Sequence, residues 1–459
     1  MTLLTRRQGQ LILPLGAALA LSLTGDSTMY AVLPNRYAAV GIGLGAVGVM
    51  LGVNRLIRIP GNLLAGALND RLGRRRLFLI GLSLGILSTL SYSLVHGFGP
   101  LLAARLLWGI AWALINVGGY TMVLDWSTEA DRGRMTGFYQ VAYMVGLAFS
   151  PILGGTLTDT LGFRPAMRIC AAVSTVGLGV AFFALPNVPP PVPPSAPRSL
   201  PPSRSGKLRS PDRRILQAGA IYLTLFFVSN GVLMSTIGRY LGERWGERIP
   251  LGGVTIGVSS LAGVMLALRA SLGILGGPAA GILSDRLGNR WPVVRIGLLV
   301  GIGGFVLLAS KGAVWLVPLG VALVSLSVGS LIAVLAAIVG DGSAGRRSGM
   351  AMGIMATAGD IGSATGPLAA YALASFLALH QVYLLCAGLL MLALLIGLIP
   401  GDALRPASPS PLPGASHNPR PAAPDRAFTP QRRQVRRAGA NPPDRKDQTV
   451  GGTQKSHRR

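Results

Sequence analysis

The chain is poor in acid. Sixteen Asp and Glu stand against 42 Lys and Arg among 459 residues, and charged residues make up only 13% of the total. Soluble domains carry about 25% charged residues, so the composition excludes an ordinary solvated surface. Two cysteines, Cys170 and Cys386, each inside an apolar run, give no disulfide framework. With only four histidines beside them, no metal-ligand cluster forms, and no metal is expected. His96 and His380 are the histidines near the ends of apolar runs, which argues against a histidine proton relay. No phosphate-binding Gly-rich loop occurs, so nucleotide-driven work is not supported. No nucleophile–base constellation points to an enzyme.

What is present is apolar. Half of the residues are hydrophobic and the mean hydropathy is +0.53. The 63 glycines lie among Leu, Val and Ile without a three-residue period, which excludes a collagen-like chain. Gly lets helix backbones approach closely and is frequent in transmembrane helices. A bilayer core about 30 Å thick needs about 20 apolar residues per helix. That ruler predicts twelve spans, at 11–34, 43–65, 77–96, 99–124, 137–157, 166–186, 215–237, 253–277, 292–310, 314–339, 348–374 and 381–400. The first run is long and lacks a small-residue cleavage site, so it reads as a permanent helix.

The net charge of +26 has the sign of a nucleic-acid binder, but its distribution follows the positive-inside rule. Arg6 and Arg7 precede span 1, and Arg71, Arg74, Arg75 and Arg76 follow span 2. Arg132 and Arg134 follow span 4, Arg286 and Arg290 follow span 8, and Arg346 and Arg347 follow span 10. The opposite loops are poorer in charge, apart from Arg239 to Arg248, where Arg mixes with Glu243 and Glu247. Both termini are therefore expected to be cytoplasmic, with lipid rather than nucleic acid as partner. The layout expected is a first bundle at 1–186, a Pro-rich cytoplasmic linker of extended type at 187–214, a second bundle at 215–400 and a tail at 401–459. In the tail twelve Lys and Arg against four Asp give a net +8, and no apolar period occurs, so it reads as disordered.

One stretch organises the whole. Gly66 to Arg76, GALNDRLGRRR, returns 215 residues later as GILSDRLGNR, Gly281 to Arg290, and GVML at Gly48 to Leu51 returns in the same register at Gly263 to Leu266. A repeated basic turn between apolar runs reads as two copies of one membrane unit. Gly66, Asp70, Arg71, Gly73 and Arg74 fit the G-x-x-x-D-R-x-G-R-R signature of the major facilitator superfamily, and Gly281, Asp285, Arg286 and Gly288 resemble its second, weaker copy. Arg105, Gly109 and Ala113 fit the family's R-x-x-x-G-x-x-x-A pattern. Gly146, Pro151, Gly154 and Gly155 resemble its antiporter motif, with Ser150 where that motif has glycine.

The resemblance covers roughly residues 11 to 400. It implies an all-α membrane protein of twelve helices in two pseudo-symmetric six-helix bundles, with spans 1, 4, 7 and 10 lining a cavity and spans 2, 5, 8 and 11 bordering the halves. Asp70, with Arg71 or Arg74, would form a cytoplasmic gate, or else a plain structural latch. Asp285, Arg286, Asp125 and Asp341 are expected in inner-gate salt bridges. Gly66 would allow close packing and Gly73 a tight turn. The helix 5 glycines would thin one face so that the other half can pack there.

Ionisable groups at membrane depth are costly and mark functional sites. Asp26 and Arg105 lie at matching depth and are predicted to face each other, with Asp26 as proton carrier or as half of a static ion pair. Arg55 and Arg58 share a helix face. Asp360 in span 11 is expected to pair with Arg58 across the halves. Arg269 falls beside Arg55 in the repeat register, leaving surplus positive charge at mid-membrane. Trp108 and Trp112, one turn apart, stack on a substrate or simply pack, and Asn230 and Tyr30 are further cavity candidates. The reading is a monomeric secondary transporter of the cell membrane, with no cofactor beyond a coupling proton. The antiporter motif favours proton-coupled efflux of small organic compounds or drugs, whereas the spare arginines favour an organic anion. A non-transporting receptor or scaffold on the same fold is the third alternative.

Overall fold

A computed structural model describes residues 6–128, 130–186, 213–251, 253–310, 312–342 and 348–399. The linker, apart from Arg213 and Arg214, the tail, and Arg346 and Arg347 lie outside the described residues, as does the side chain of Asp70.

Every predicted span is helical, but three are interrupted, each for a local reason. Span 1 is α1 (Arg6–Ser22) and α2 (Thr24–Arg36), parted at Leu23. Hydroxyls flank the break: Ser22 donates to the Leu19 carbonyl (2.7 Å) and Thr24 to that of Leu21 (2.9 Å), and such bonds compete with the helix ladder. Span 2 is α3 (Leu44–Leu56) and α4 (Arg58–Leu72). Pro60 cannot return an N–H to the Leu56 carbonyl and its ring crowds that group, so the helix expected to be continuous breaks at Ile57. Next come α5 (Arg74–Leu94), α6 (Phe98–Trp126), α7 (Arg132–Leu161) and α8 (Phe163–Ala184). Gly73, at φ +81°, makes the turn from α4 into α5 that a side chain would resist.

Span 7 is α9 (Arg213–Phe226), a π-helical turn at Phe227–Leu233 and α10 (Met234–Trp245). An antiparallel hairpin, β1 (Arg248–Leu251) and β2 (Val254–Gly257), follows, with Ile249 opposite Ile256. The rest is α11 (Val258–Leu287), α12 (Trp291–Ala309), α13 (Leu316–Gly342), α14 (Ser348–Leu373) and α15 (Leu379–Leu398). Among the described residues, ten stretches are long and apolar enough to cross a membrane. The two predicted spans outside that set are α3–α4, cut short by its break, and α14, whose Gly, Ala, Ser and Thr lower its hydropathy. The chain is a multi-pass membrane protein.

α5 packs on α6 and α8, and α1 on α7 and α8; in the second half α12 packs on α13 and α15, and α11 on α13. The halves meet along α3–α14 and α7–α11, which are spans 2 with 11 and 5 with 8, and α2 lies against α10 and α11. Small residues make these crossings possible. A Cβ on Gly48 would lie 2.6 Å from the Pro367 carbonyl oxygen, and one on Gly52 2.5 Å from that of Ala364. In the antiporter-like motif, Gly146 faces Ala20 and Gly154 faces Thr28 within the first half, while Gly155 faces the Ser259 carbonyl across the boundary. Gly66 differs from expectation: nothing lies within 4 Å of a Cβ there. Among the described residues, α4 packs mainly on α5 and α6 of its own half.

Gly48→Leu is expected to destabilise the protein by about 1–3 kcal/mol through overpacking. Gly45→Leu, where a Cβ meets open space, should leave the thermal unfolding midpoint in detergent unchanged. Equal midpoints for the two variants would contradict this packing.

Candidate functional site

The break in α1–α2 brings Asp26 to the centre of the first half. Its Oδ1 accepts hydrogen bonds from Arg105 Nη1 (2.6 Å) and Asn54 Nδ2 (3.0 Å), and its Oδ2 lies 3.7 Å from Arg58 Nη2. Arg105, on α6 and fully buried, also donates through Nε to the Met50 carbonyl (2.7 Å) and through Nη1 to the Tyr92 hydroxyl (3.3 Å). The Tyr30 hydroxyl donates to the Leu51 carbonyl (3.0 Å) and accepts from Arg55 Nε (3.3 Å). The Tyr30 ring lies under both guanidiniums, with Arg105 Cζ 5.7 Å and Arg55 Cζ 5.8 Å from its centroid. The expected facing of Asp26 and Arg105 is thus present. Asn54 was not anticipated, although it occupies the position of Arg269 in the 215-residue repeat.

Arg58 corrects another expectation. Its partner is Asp26, not Asp360, and its guanidinium stacks 5.1 Å from the Trp112 ring. Arg58, the first residue of α4 after the break at Ile57, reaches Asp26 in the first half. Asp360 has no ion pair among the described residues.

Between the halves lies a cavity of about 330 Å³ whose polar lining is Ser27, Arg55, Gln140, Tyr143, Asn230, Arg269 and Ser325. Arg269 donates to Ser229 Oγ (3.2 Å) and to Asn230 Oδ1, both on the π turn. That turn adds a residue to the helix and so re-aims its side chains, a device common at functional sites. Arg55 and Arg269 come from opposite halves, and neither has a carboxylate partner among the described residues. Arg55, Arg269 and Asn230 therefore line the cavity as expected. Arg58, Trp112 and Tyr30 stand behind its wall, and Trp108 is core, filling the space beside Gly85 of α5. The wall that span 4 was expected to form comes from span 5. Tyr143 stands between Trp112 and the cavity, with ring centroids 5.5 Å apart.

The sequence model of the Major Facilitator Superfamily matches residues 15–269 and 220–440. The chain belongs to the major facilitator superfamily. Relatives within it include an uncharacterised MFS-type transporter of Mycobacterium tuberculosis, 26% identical over 301 residues, 64% of this chain and 38% of that protein. The inner membrane transport protein YajR of Escherichia coli is 23% identical over 77% of this chain and 74% of its own. The chain spans 28% and 38% of the length of the first mycobacterial relatives it matches. Among solved structures, the fold resembles a bacterial homologue of the human lysosomal transporter Spinster in an inward-facing, unoccupied conformation (TM-score 0.67, 14% identity, 86% of this chain and 97% of that one). It also resembles the human organic anion transporter MFSD10 (TM-score 0.56, 19% identity, 86% and 100%).

Superfamily members are carriers rather than enzymes, and the two ends of this bundle differ as a carrier's do. At the end bearing the basic loops, the ion pairs among the described residues stay within a half. Arg74 pairs with Asp125, and Arg290 with Asp341 (2.7 Å) and Asp285 (3.6 Å). Asp125 and Asp341 were expected to bridge an inner gate; each instead ties neighbouring helices of its own half together. Arg71 and Arg286 are exposed. At the opposite end the halves are bridged. Asp159, in the last turn of α7, accepts from the Ser260 N–H (2.7 Å) and Oγ (2.8 Å), so a carboxylate from one half caps α11 in the other. Gly257, the N-cap position of α11, leaves the room this needs, since a Cβ there would strike Asp159. Arg36 lies 3.8 Å from Asp159 and 3.1 Å from Glu247, and Asn35 Nδ2 donates to the Gly238 carbonyl (2.7 Å). Sequence reasoning missed this group because Asp159 lies just outside the apolar window of span 5.

Arg105→Ala should lower stability by about 3–5 kcal/mol by stranding a buried carboxylate, and adding Asp26→Ala should recover part of the loss. Thermal unfolding of the two variants decides it: a double variant less stable than the single contradicts the hub. Asp159→Asn weakens the bridged end. A cysteine placed at buried Ile237 should then react several-fold faster with a membrane-impermeant maleimide; unchanged reactivity would mean that Asp159 does not hold this end shut.

Proposed function

We propose that this chain is a secondary transporter of the cell membrane, working by alternating access, whose substrate is a small organic anion held between Arg55 and Arg269. The observation that carries the reading is the pair of half-buried guanidiniums, one from each half, sharing a cavity in which neither meets a carboxylate. Charge at this depth is expensive, and an anion reaching both arginines would compensate it and tie its own binding to the approach of the halves. The other lining groups, Tyr143, Asn230, Gln140 and Ser27, offer hydrogen bonds beside an apolar wall that includes Leu147, Phe226 and Leu266. An anion with an apolar body fits that division.

With the basic loops facing the cytoplasm, the bridged end is external and the conformation faces inward. Export of drug-like compounds against protons is the second reading, favoured by Gly155 of the antiporter-like motif packing directly on α11.

The test is transport by the purified protein in proteoliposomes, offering a panel of small carboxylates and sulfonates and, separately, lipophilic cations. Uptake of anions is expected. Arg55→Gln and Arg269→Gln should each weaken it about ten- to a hundred-fold, as loss of a charge-assisted hydrogen bond of ~1.5–3 kcal/mol requires. A response to cations alone would overturn the anion reading in favour of drug export.

A further inference from the structure

Two carboxylates sit at membrane depth, and their settings differ. Asp26 is engaged by two guanidiniums and an amide. Asp360, on α14, is half-buried and makes neither ion pair nor hydrogen bond among the described residues. Helix register fixes its height. α3 and α14 cross antiparallel, with Gly48 against the Pro367 carbonyl and Gly52 against that of Ala364. One further turn along both helices brings Asp360 level with Leu56, beside Arg55 and next to the break at Ile57.

The charged and titratable groups facing Asp360 are Arg55 of α3, Arg58 of α4 and the Tyr222 phenol of α9. Gly359, the neighbouring residue, lets the rings of Tyr222 and Phe226 close on α14. The other elements packed on α14 bring it no charge. The π turn has no ionisable side chain, α13 offers only Asp341, paired with Arg290, and α10 meets α14 near Tyr371, three turns away.

We propose that Asp360 binds the coupling proton, and that it does so by competing with the substrate anion for Arg55. Ionised, Asp360 supplies the negative charge that Arg55 lacks and attracts α3 toward α14 on the cytoplasmic side of the cavity. A proton taken from the cytoplasm converts the carboxylate to the neutral acid; no other bond changes. Arg55 then turns its full charge to the cavity, so proton and anion load together and cross together. Asp26 is already occupied by two arginines and Asn54, and the carrier role expected of it passes to Asp360. The cargo in this scheme rests on the anion reading above; the proton site does not, and it is tested without substrate.

The experiment measures the distance between nitroxides on cysteines introduced at Leu63 and Ile354, exposed positions of α4 and α14, by pulsed electron resonance in lipid nanodiscs. The native cysteines are buried, so labelling is confined to the introduced pair. Across a pH titration the wild-type distance is expected to shorten as the pH rises and Asp360 ionises. Asp360→Asn should hold the acidic distance at every pH, Asp360→Glu should restore the shift, and Asp26→Asn should retain it. A wild-type distance that does not move with pH overturns the proposal. So does a shift that survives in Asp360→Asn, or one abolished by Asp26→Asn and not by Asp360→Asn. If the shift behaves as expected but the panel shows no anion transport, the proton site holds and the cargo is wrong.

Discussion

A charge withdrawn from water into a medium of low dielectric must find another, and here four arginines at membrane depth share the attention of one well-held aspartate. Arg105, Arg58 and Asn54 converge on Asp26, which neutralises only part of the set. Removing water from a carboxylate and a guanidinium costs several kcal/mol per ion and is repaid only by close geometry and further hydrogen bonds. Arg105 meets that condition through the Met50 carbonyl and Tyr92. Arg55 and Arg269 have hydrogen-bond partners but no ion pair among the described residues, and both line the cavity.

The irregular backbone serves the same constraint. Leu23, Ile57 and the π turn at Phe227–Leu233 are the interruptions, and each lies within a few residues of a polar group at the centre of the fold: Asp26, Arg55 with Arg58, and Asn230. A straight helix of any of these spans would aim its side chains by the 3.6-residue period alone. Hydroxyls beside Leu23, a proline after Ile57 and an extra residue in span 7 shift that aim. The uninterrupted helices α7 and α11 instead carry the boundary between halves, where Gly155 and Gly263 let backbones touch.

Alternating access needs the two ends to be held by different kinds of contact. The bridged end joins exposed Glu247 and part-exposed Arg36 to Asp159, whose side chain is 12% exposed. Such pairs contribute little each, and a helix cap adds about 1 kcal/mol. Contacts of that size close the end without fixing it. At the basic end the ion pairs among the described residues, Arg74 with Asp125 and Arg290 with Asp341 and Asp285, lie within each half.

Much of this was legible in the sequence. Apolar length marked the spans, the 215-residue repeat marked the doubled unit, and the charges at membrane depth marked the site, because hydrocarbon tolerates few of them. The Asp26–Arg105 encounter followed from matched depth. What depth does not give is rotation about the helix axis, and there the reading failed: Arg58 turned to Asp26 rather than Asp360, and span 5 rather than span 4 to the cavity. Those outcomes depend on breaks whose bend angles arise from packing against neighbours remote in sequence. Composition and periodicity therefore determined that this chain crosses a membrane many times with surplus positive charge inside it. Only the tertiary structure decided which of those charges are paired and which face the cavity, since pairing is a matter of ångströms between helices and leaves no period along one.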